Sequence, residues 1–436
     1  MAVALADIVG NDARVTDSLP IDPVLRPLQR MTEDLEALYR DVHRHPELSM
    51  QEHRTAEKAA ERLRRAGYDV TTGIGGTGVV GVLRNGDGPT VLLRADMDAL
   101  PVEEATGLPY ASTVTARDAG GRDVPVMHAC GHDMHVTWLV GASSLLAEAR
   151  DAWRGTVIAL FQPGEETAEG ARAMIDDGLL DRVPKPDVIL GQHVLPFPAG
   201  EISYRSGTAM AAADSLDVRM FGRGSHGSMP EVSVDPVVMA ASTVLRLQGI
   251  VAREIPASAA AVVTVGALQA GTKSNVIPDE ALLKINVRSF DEDVRRRVLA
   301  AIERIVRAEA DASGAPRPPE ITTSDRFPLT TNDPQQTANV AAVMRAHFGE
   351  ERVRELPGPL PASEDFGWFG TEWGVPSVYW YVGGTDAERY REAERRDRVA
   401  EDIPINHNPR FAPVIHPTLE TGVHAITAAA LDALNR

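Results

Sequence analysis

The sequence predicts an α/β fold in two parts: a layered domain whose mixed sheet is flanked by helices, and an α+β sandwich inserted into it. Three observations carry this. Short apolar runs alternate with amphipathic helical stretches over the first 200 residues. Near Gly200 the texture changes to strands of period-two alternation. Helix and strand runs then return after a segment rich in Ala, Pro and Gly at 312–319. A chain of 436 residues also exceeds one ordinary core, so two domains are expected. The expected boundaries are an N-terminal arm at 1–30, the first part of the larger domain at 31–199, the insertion at 200–312 and the second part at 313–436.

Taken in order, residues 31–65 have a strong helical period, broken near His45 because the following Pro46 disfavours helix at that position. Residues 78–83 and 90–95 read as strands joined by the turn Asn85-Gly86-Asp87-Gly88. Residues 132–150 are helical by period. Residues 156–161 form a buried strand ending at Glu165-Glu166, and 187–191 another ending at His193. In the insertion, 201–206, 214–221, 261–268 and 281–290 alternate as strands, while 236–253 and 291–312 read as helices. Strand, helix, two strands and helix describe helices on one face of an antiparallel sheet.

Hydrophobic residues make up 43% and charged residues 24%, the balance of a globular protein with ample core. A single cysteine rules out an intrachain disulfide framework. The net charge of -18 is spread along the chain and repels nucleic acid and anionic membranes, so neither is an expected partner. No apolar run approaches the roughly 18 residues of a membrane span, and the first twenty residues lack a signal-peptide pattern. A cytoplasmic protein is expected.

The densest chemistry lies in His128-Ala129-Cys130-Gly131-His132-Asp133-Met134-His135, which packs three imidazoles and the only cysteine into eight residues. Thiolate beside imidazole is a donor set for a borderline-soft metal ion. Gln162-Pro163-Gly164-Glu165-Glu166, Gly191-Gln192-His193-Val194 and His407-Asn408-Pro409 can each add a ligand. Singly, a cysteine is usually a small buried hydrophobe and a Glu-Glu pair a solvated surface. Together these clusters sit beside Gly or Pro at predicted strand ends, where open α/β sheets gather their ligands. Such donors suit Zn²⁺, Mn²⁺, Co²⁺ or Ni²⁺ and not calcium. A bound ion brings the pKa of its water towards ~7, giving a hydroxide nucleophile, and a free carboxylate beside it moves the proton. Adjacent Glu165 and Glu166 can supply one base and one ligand. Asp96 and Asp98 end another strand, either as carboxylates orienting an imidazole or as a polar terminus.

At these residues the chain resembles the M20 metallopeptidase family, in the aminoacylase/amidohydrolase branch that includes hippurate hydrolases, N-acyl-amino-acid hydrolases and indole-acetyl-amino-acid hydrolases. The resemblance is collinear from about residue 43 to 422. It runs through His43-Arg44-His45-Pro46-Glu47-Leu48-Ser49, residues 94–101, the cysteine motif and the Glu165-Glu166 loop. It continues through Gly222-Arg223-Gly224-Ser225-His226, residues 271–278, Ser363-Glu364-Asp365-Phe366 and residues 407–411. It implies a catalytic domain with two divalent transition-metal ions and an inserted lid that commonly dimerises, making a homodimer the expected assembly. It further implies that Cys130 bridges the ions, that His132, Glu166, His193 and His407 complete their coordination, and that Glu165 is the general acid/base. Asp98 stands behind the ligands, and His226, Asn275 and Arg288 hold the substrate carbonyl or carboxylate. Where the branch usually has Pro-His, this chain has Pro230-Glu231.

The expected activity is metal-dependent cleavage of the amide of N-acyl-amino acids, metal-bound hydroxide attacking and Glu165 shuttling the proton. The alternatives are a dipeptidase or exopeptidase of the same family, a hydrolase with Cys130 as nucleophile, and an inactive metal-binding protein.

Overall fold

The computed structural model describes residues 21–436. The first twenty residues of the expected N-terminal arm lie outside the described residues. The rest of that arm belongs to the core: Val24, Leu25 and Leu28 are buried against the larger domain.

A mixed eight-stranded sheet organises the larger domain. Its order is Asp69–Ile74, Gly78–Asn85, Gly155–Gln162, Thr90–Asp96, Val188–Pro198, Ser377–Thr385, Ile202–Tyr204 and Val353–Glu355. Both faces are covered, so the central strands are apolar on both sides. In the strand Thr90–Asp96, Val91 and Leu93 join the core under the helices Leu28–Arg44, His132–Glu148 and Ile415–Leu434. Leu92, one residue out of phase, joins the opposite core with Met174, Phe369 and Tyr379. The helix break expected near His45 separates Leu28–Arg44 from His53–Arg65.

The strands Gly78–Asn85 and Thr90–Asp96 follow one another across the expected turn but do not pair, because Gly155–Gln162 lies between them, antiparallel to the first and parallel to the second. The turn at residues 85–88 therefore carries the chain past a third strand. Pairing partners that distant in sequence leave no mark on a local turn.

The inserted domain is a four-stranded antiparallel sheet in the order Ala261–Ala270, Glu280–Ser289, Ala212–Phe221 and Glu320–Phe327. Pro236–Leu247 and Glu292–Ala312 pack on one face, over Val218, Met220, Leu283, Ile285 and Val287. Asp291 caps the second helix by accepting from the Asp293 and Val294 N–H groups. Arg295 ties that helix to the sheet through two 2.8 Å bonds to buried Asp214. The expected span of 200–312 shifts in sheet membership at both ends. Ile202–Tyr204 pairs with Ser377–Thr385 in the large sheet, and Glu320–Phe327 returns to the small one. The segment at 312–319 is thus a loop within the insertion, since a composition rich in Ala, Pro and Gly marks a turn as readily as an exit.

Candidate metal centre

Cys130 and His132 flank Gly131, whose φ of +85° opens the helix His132–Glu148. A Cβ at Gly131 would stand 2.4 Å from Val194 Cγ1, so this tight turn admits only glycine. Glu165 and Glu166 follow the strand Gly155–Gln162, and Asp96 ends the neighbouring parallel strand. His193 lies inside Val188–Pro198 rather than after it, because that strand runs on to Pro198. His407 adopts φ +69°, a strained conformation for a non-glycine residue, and its N–H bonds Ala129 O at 2.8 Å. That bond brings the C-terminal loop onto the cysteine turn.

Donor atoms of Cys130, His132 and His193 all lie within 4.8 Å of one another, as do those of Cys130, Glu166 and His407. His132, Glu165 and Glu166 form a third such group. Backing groups fix the imidazoles. Nδ1 of His132 lies 3.2 Å from Asp98 Oδ1, while Asp98 Oδ2 accepts from Ser49 Oγ at 2.6 Å and the Glu166 N–H at 3.0 Å. Nδ1 of His193 lies 2.7 Å from the Val194 carbonyl, which can only accept. His193 therefore keeps a lone pair on Nε2, 3.5 Å from Cys130 Sγ. Asn406 Nδ2 donates to the carbonyls of Cys130 at 3.1 Å and Val194 at 3.2 Å.

Two atoms are left over. His132 Nε2 and Glu166 Oε1 are buried with no hydrogen-bond partner among the described residues, although Glu166 Oε1 stands 3.3 Å from His407 Nε2. Buried polar atoms are rarely orphaned, and orienting carboxylates behind imidazoles are the usual support of metal ligands. Thiolate, imidazole and carboxylate around such orphans fit divalent transition-metal ions.

The electrostatics agree. Cys130 and Glu166 beside it raise His407 to about 10. Burial pulls His132 down, but Asp96 and Cys130 hold it well above the ordinary histidine value. Burial, with His135 beside it, pushes His193 well below that value. Glu165 is raised well above the usual carboxylate range by burial and by Glu364, Glu166 and Asp365. Burial and Glu166 push the Cys130 thiol up, the reverse of what a nucleophilic cysteine needs. This ring of donors draws positive charge.

The structure thus brings together Cys130, His132, Glu165, Glu166, His193, His407 and Asp98. It holds His226 and Asn275 elsewhere: His226 is exposed in the short strand Ser225–His226 of the insertion, and exposed Asn275 adjoins it, just before the paired strand Val276–Ile277. Arg288 is half-buried, donating to Asn286 Oδ1 at 3.1 Å and to Ser363 Oγ of the larger domain at 2.5 Å. Burial lowers its pKa, and no carboxylate among the described residues offsets the effect. Glu231 is exposed in a short 3₁₀ turn.

Several groups escaped the sequence reading. Buried Arg94 bonds Asp96 at 2.8 Å, Glu364 at 2.7 Å and Asp365 at 3.1 Å. Asp96 in turn holds His135 Nδ1 at 2.5 Å. His43 lies between Asp133 at 2.6 Å and Glu104 at 3.1 Å. The motifs at 43–49 and 363–366 were visible in the sequence, but their partners lie far along the chain.

The model of peptidase family M20/M25/M40 matches residues 92–406. The chain belongs to this family. Hippurate hydrolase of Campylobacter jejuni is 39% identical over 338 residues, 77% of this chain and 85% of that protein. Thermostable carboxypeptidase 2 of Saccharolobus solfataricus is 36% identical over 84% of this chain and 90% of its own length. A crystal structure of a dinuclear metal-binding M20 peptidase from Bacillus subtilis superposes with a TM-score of 0.73 at 29% identity, covering 93% of this chain and 99% of the other. The M20 chain described here is a hydrolase of amides, in the amidohydrolase branch of the family. Among its described residues no helix is long and apolar enough to cross a membrane.

Proposed function

We propose that this M20 hydrolase cleaves the amide of N-acyl-amino acids with two divalent transition-metal ions, Zn²⁺, Mn²⁺, Co²⁺ or Ni²⁺. The observation that carries the reading is the meeting of five donor residues around two orphaned buried atoms, with Glu165 alongside. Cys130, His132, Glu166, His193 and His407 would hold the ions. When bound, the ions supply Lewis-acid chemistry, polarising the scissile carbonyl and lowering the pKa of water. Glu165 takes a proton from the attacking water and delivers it to the amine nitrogen as the C–N bond breaks, leaving a free carboxylate and an amine. Burial among carboxylates raises its proton affinity, which suits a group that must hold that proton before releasing it. Asp98 fixes the His132 tautomer through Nδ1.

Arg288 reads the carboxylate of the amino-acid part. Its guanidinium is half-buried without a carboxylate partner among the described residues, and a planar fork matches a carboxylate in bidentate fashion. His226 and Asn275 supply further polar contacts when the insertion meets the substrate, and Glu231 biases against a negative group near them. A homodimer through the insertion is supported by exposed Val238 (62%), Leu245 (74%) and Val262 (49%) on its outer helix and edge strand. A sedimentation run showing only monomer at micromolar concentration would remove the dimer and leave the chemistry standing.

A carboxypeptidase reading has support in the relative of that name at 36% identity. A hydrolysis screen after reconstitution with Zn²⁺, Mn²⁺, Co²⁺ and Ni²⁺ separates the two. N-acyl-amino acids are expected to be cleaved faster than dipeptides with a free α-amine, and the reverse order would favour the peptidase.

A further inference from the structure

Residues 47–52 run behind the metal centre. The Glu47 carboxylate accepts from the N–H groups of Arg54 at 2.9 Å and Thr55 at 2.8 Å, fixing the start of the helix His53–Arg65. Ser49 reaches Asp98. Glu52 is fully buried, and its Oε1 accepts from the N–H groups of Met50 and Gly164, at 2.8 Å each. The Thr77 hydroxyl holds the other oxygen.

Gly164 begins the loop that carries Glu165 and Glu166. Its φ is +53°, and its carbonyl accepts from the Gly170 N–H at 3.0 Å, while the Ala168 N–H bonds Glu165 O at 2.9 Å. Two buried carboxylates therefore grip this backbone on either side of Glu165. Glu52 holds the N–H before it and Asp98 the N–H after it, at 3.0 Å. The first of these grips is costly to maintain. Glu52 sits in a dry site near Asp98, and burial together with that charge raises it to about 7. An apolar side chain would avoid the cost but leave two buried N–H groups unpaired.

We infer that Glu52 is a positioning residue of the reaction, setting through the Gly164 N–H where the Glu165 carboxylate stands relative to the scissile amide. The inference rests on the reading of Glu165 as the acid/base. A displacement of about 1 Å at a reacting group is enough to cost on the order of a hundredfold in rate. The effect belongs in kcat, because neither residue is assigned to substrate binding.

The test is steady-state kinetics with metal analysis on the reconstituted enzyme. Glu52→Met should lower kcat by about ten- to a hundredfold, with KM and metal content unchanged. Glu52→Gln keeps an oxygen for both N–H groups and should stay within about threefold of wild type. If the methionine variant fails to fold, Glu52→Asp supplies the same test, since it keeps the charge but shortens the reach. The Glu165→Gln background separates the inference from the reading beneath it. Because Glu52 acts through Glu165, adding Glu52→Met to Glu165→Gln should cost little more. Undiminished turnover in Glu165→Gln alone would overturn the acid/base reading. Additive losses in the double variant, a loss that merely tracks metal content, or a glutamine variant as impaired as the methionine one would overturn the role of Glu52 and leave that reading intact.

Discussion

Around the metal centre, side chains are held by several partners each. Asp98 binds Ser49, His132 and the Glu166 backbone, Arg94 binds three carboxylates, and Asn406 bonds two carbonyls. In the inserted domain the corresponding polar residues are loosely fastened. The exposed His226 side chain bonds, among the described residues, its neighbour Ser228; Asn275 is exposed, and Arg288 has no counter-charge among the described residues. The contrast separates two tasks. Ligands for an ion must be preorganised within fractions of an ångström by the groups behind them, whereas groups that meet a substrate on domain closure gain their partners only then. A fastened centre and an unfastened lid predict different responses to substitution.

The largest effect is expected at the centre. Glu165→Gln should lower turnover by roughly 10²–10⁴-fold with metal content unchanged. Glu166→Gln should lower metal occupancy as well. If the two variants lose metal equally, base and ligand have not been told apart. In the lid, Arg288→Ala should cost about 1.5–3 kcal/mol against an N-acyl-amino acid, one to two decades in kcat/KM, and much less against its amide analogue. Comparing the acid-to-amide ratio in wild type, Arg288→Ala and Glu231→His sharpens the point. An unchanged ratio in the arginine variant would put carboxylate recognition elsewhere.

A smaller effect should appear behind the centre, at His43. Burial pulls its pKa down, but Asp133 and Glu104 overcome this and raise it from 6.5 to about 9. A histidine raised on folding stabilises fully below its unfolded value, and that contribution is lost as pH climbs through the folded one. The wild-type Tm should therefore fall between about pH 6.5 and 9 by more than that of His43→Gln. Parallel Tm curves would mean that the charged imidazolium adds nothing.

These contrasts also explain what could be read from the chain. Cys130, His132, Glu166, His193 and His407 were legible as candidates for one shared site from clusters of ligand-type residues beside Gly or Pro, while their roles as ligands come from the family resemblance. The break at His45 was legible because Pro46 acts on its immediate neighbour. Strand pairing was not legible: Gly155–Gln162 lies between Gly78–Asn85 and Thr90–Asp96, and Glu320–Phe327 pairs back across about a hundred residues. Arg94 with Glu364 and Asp365, and Glu52 with Gly164, were invisible for the same reason. Pairings between distant segments are made by the fold and carry no period.

In the proposed mechanism, converging donors from four chain segments hold two catalytic ions. Stoichiometric titration tests it most directly: strip the enzyme with a chelator, verify by elemental analysis, and add Zn²⁺, Mn²⁺, Co²⁺ or Ni²⁺ stepwise while following hydrolysis. Activity should be absent from the stripped protein and return with one of these ions, saturating near two per chain. Full hydrolysis by protein shown to be metal-free would contradict the account.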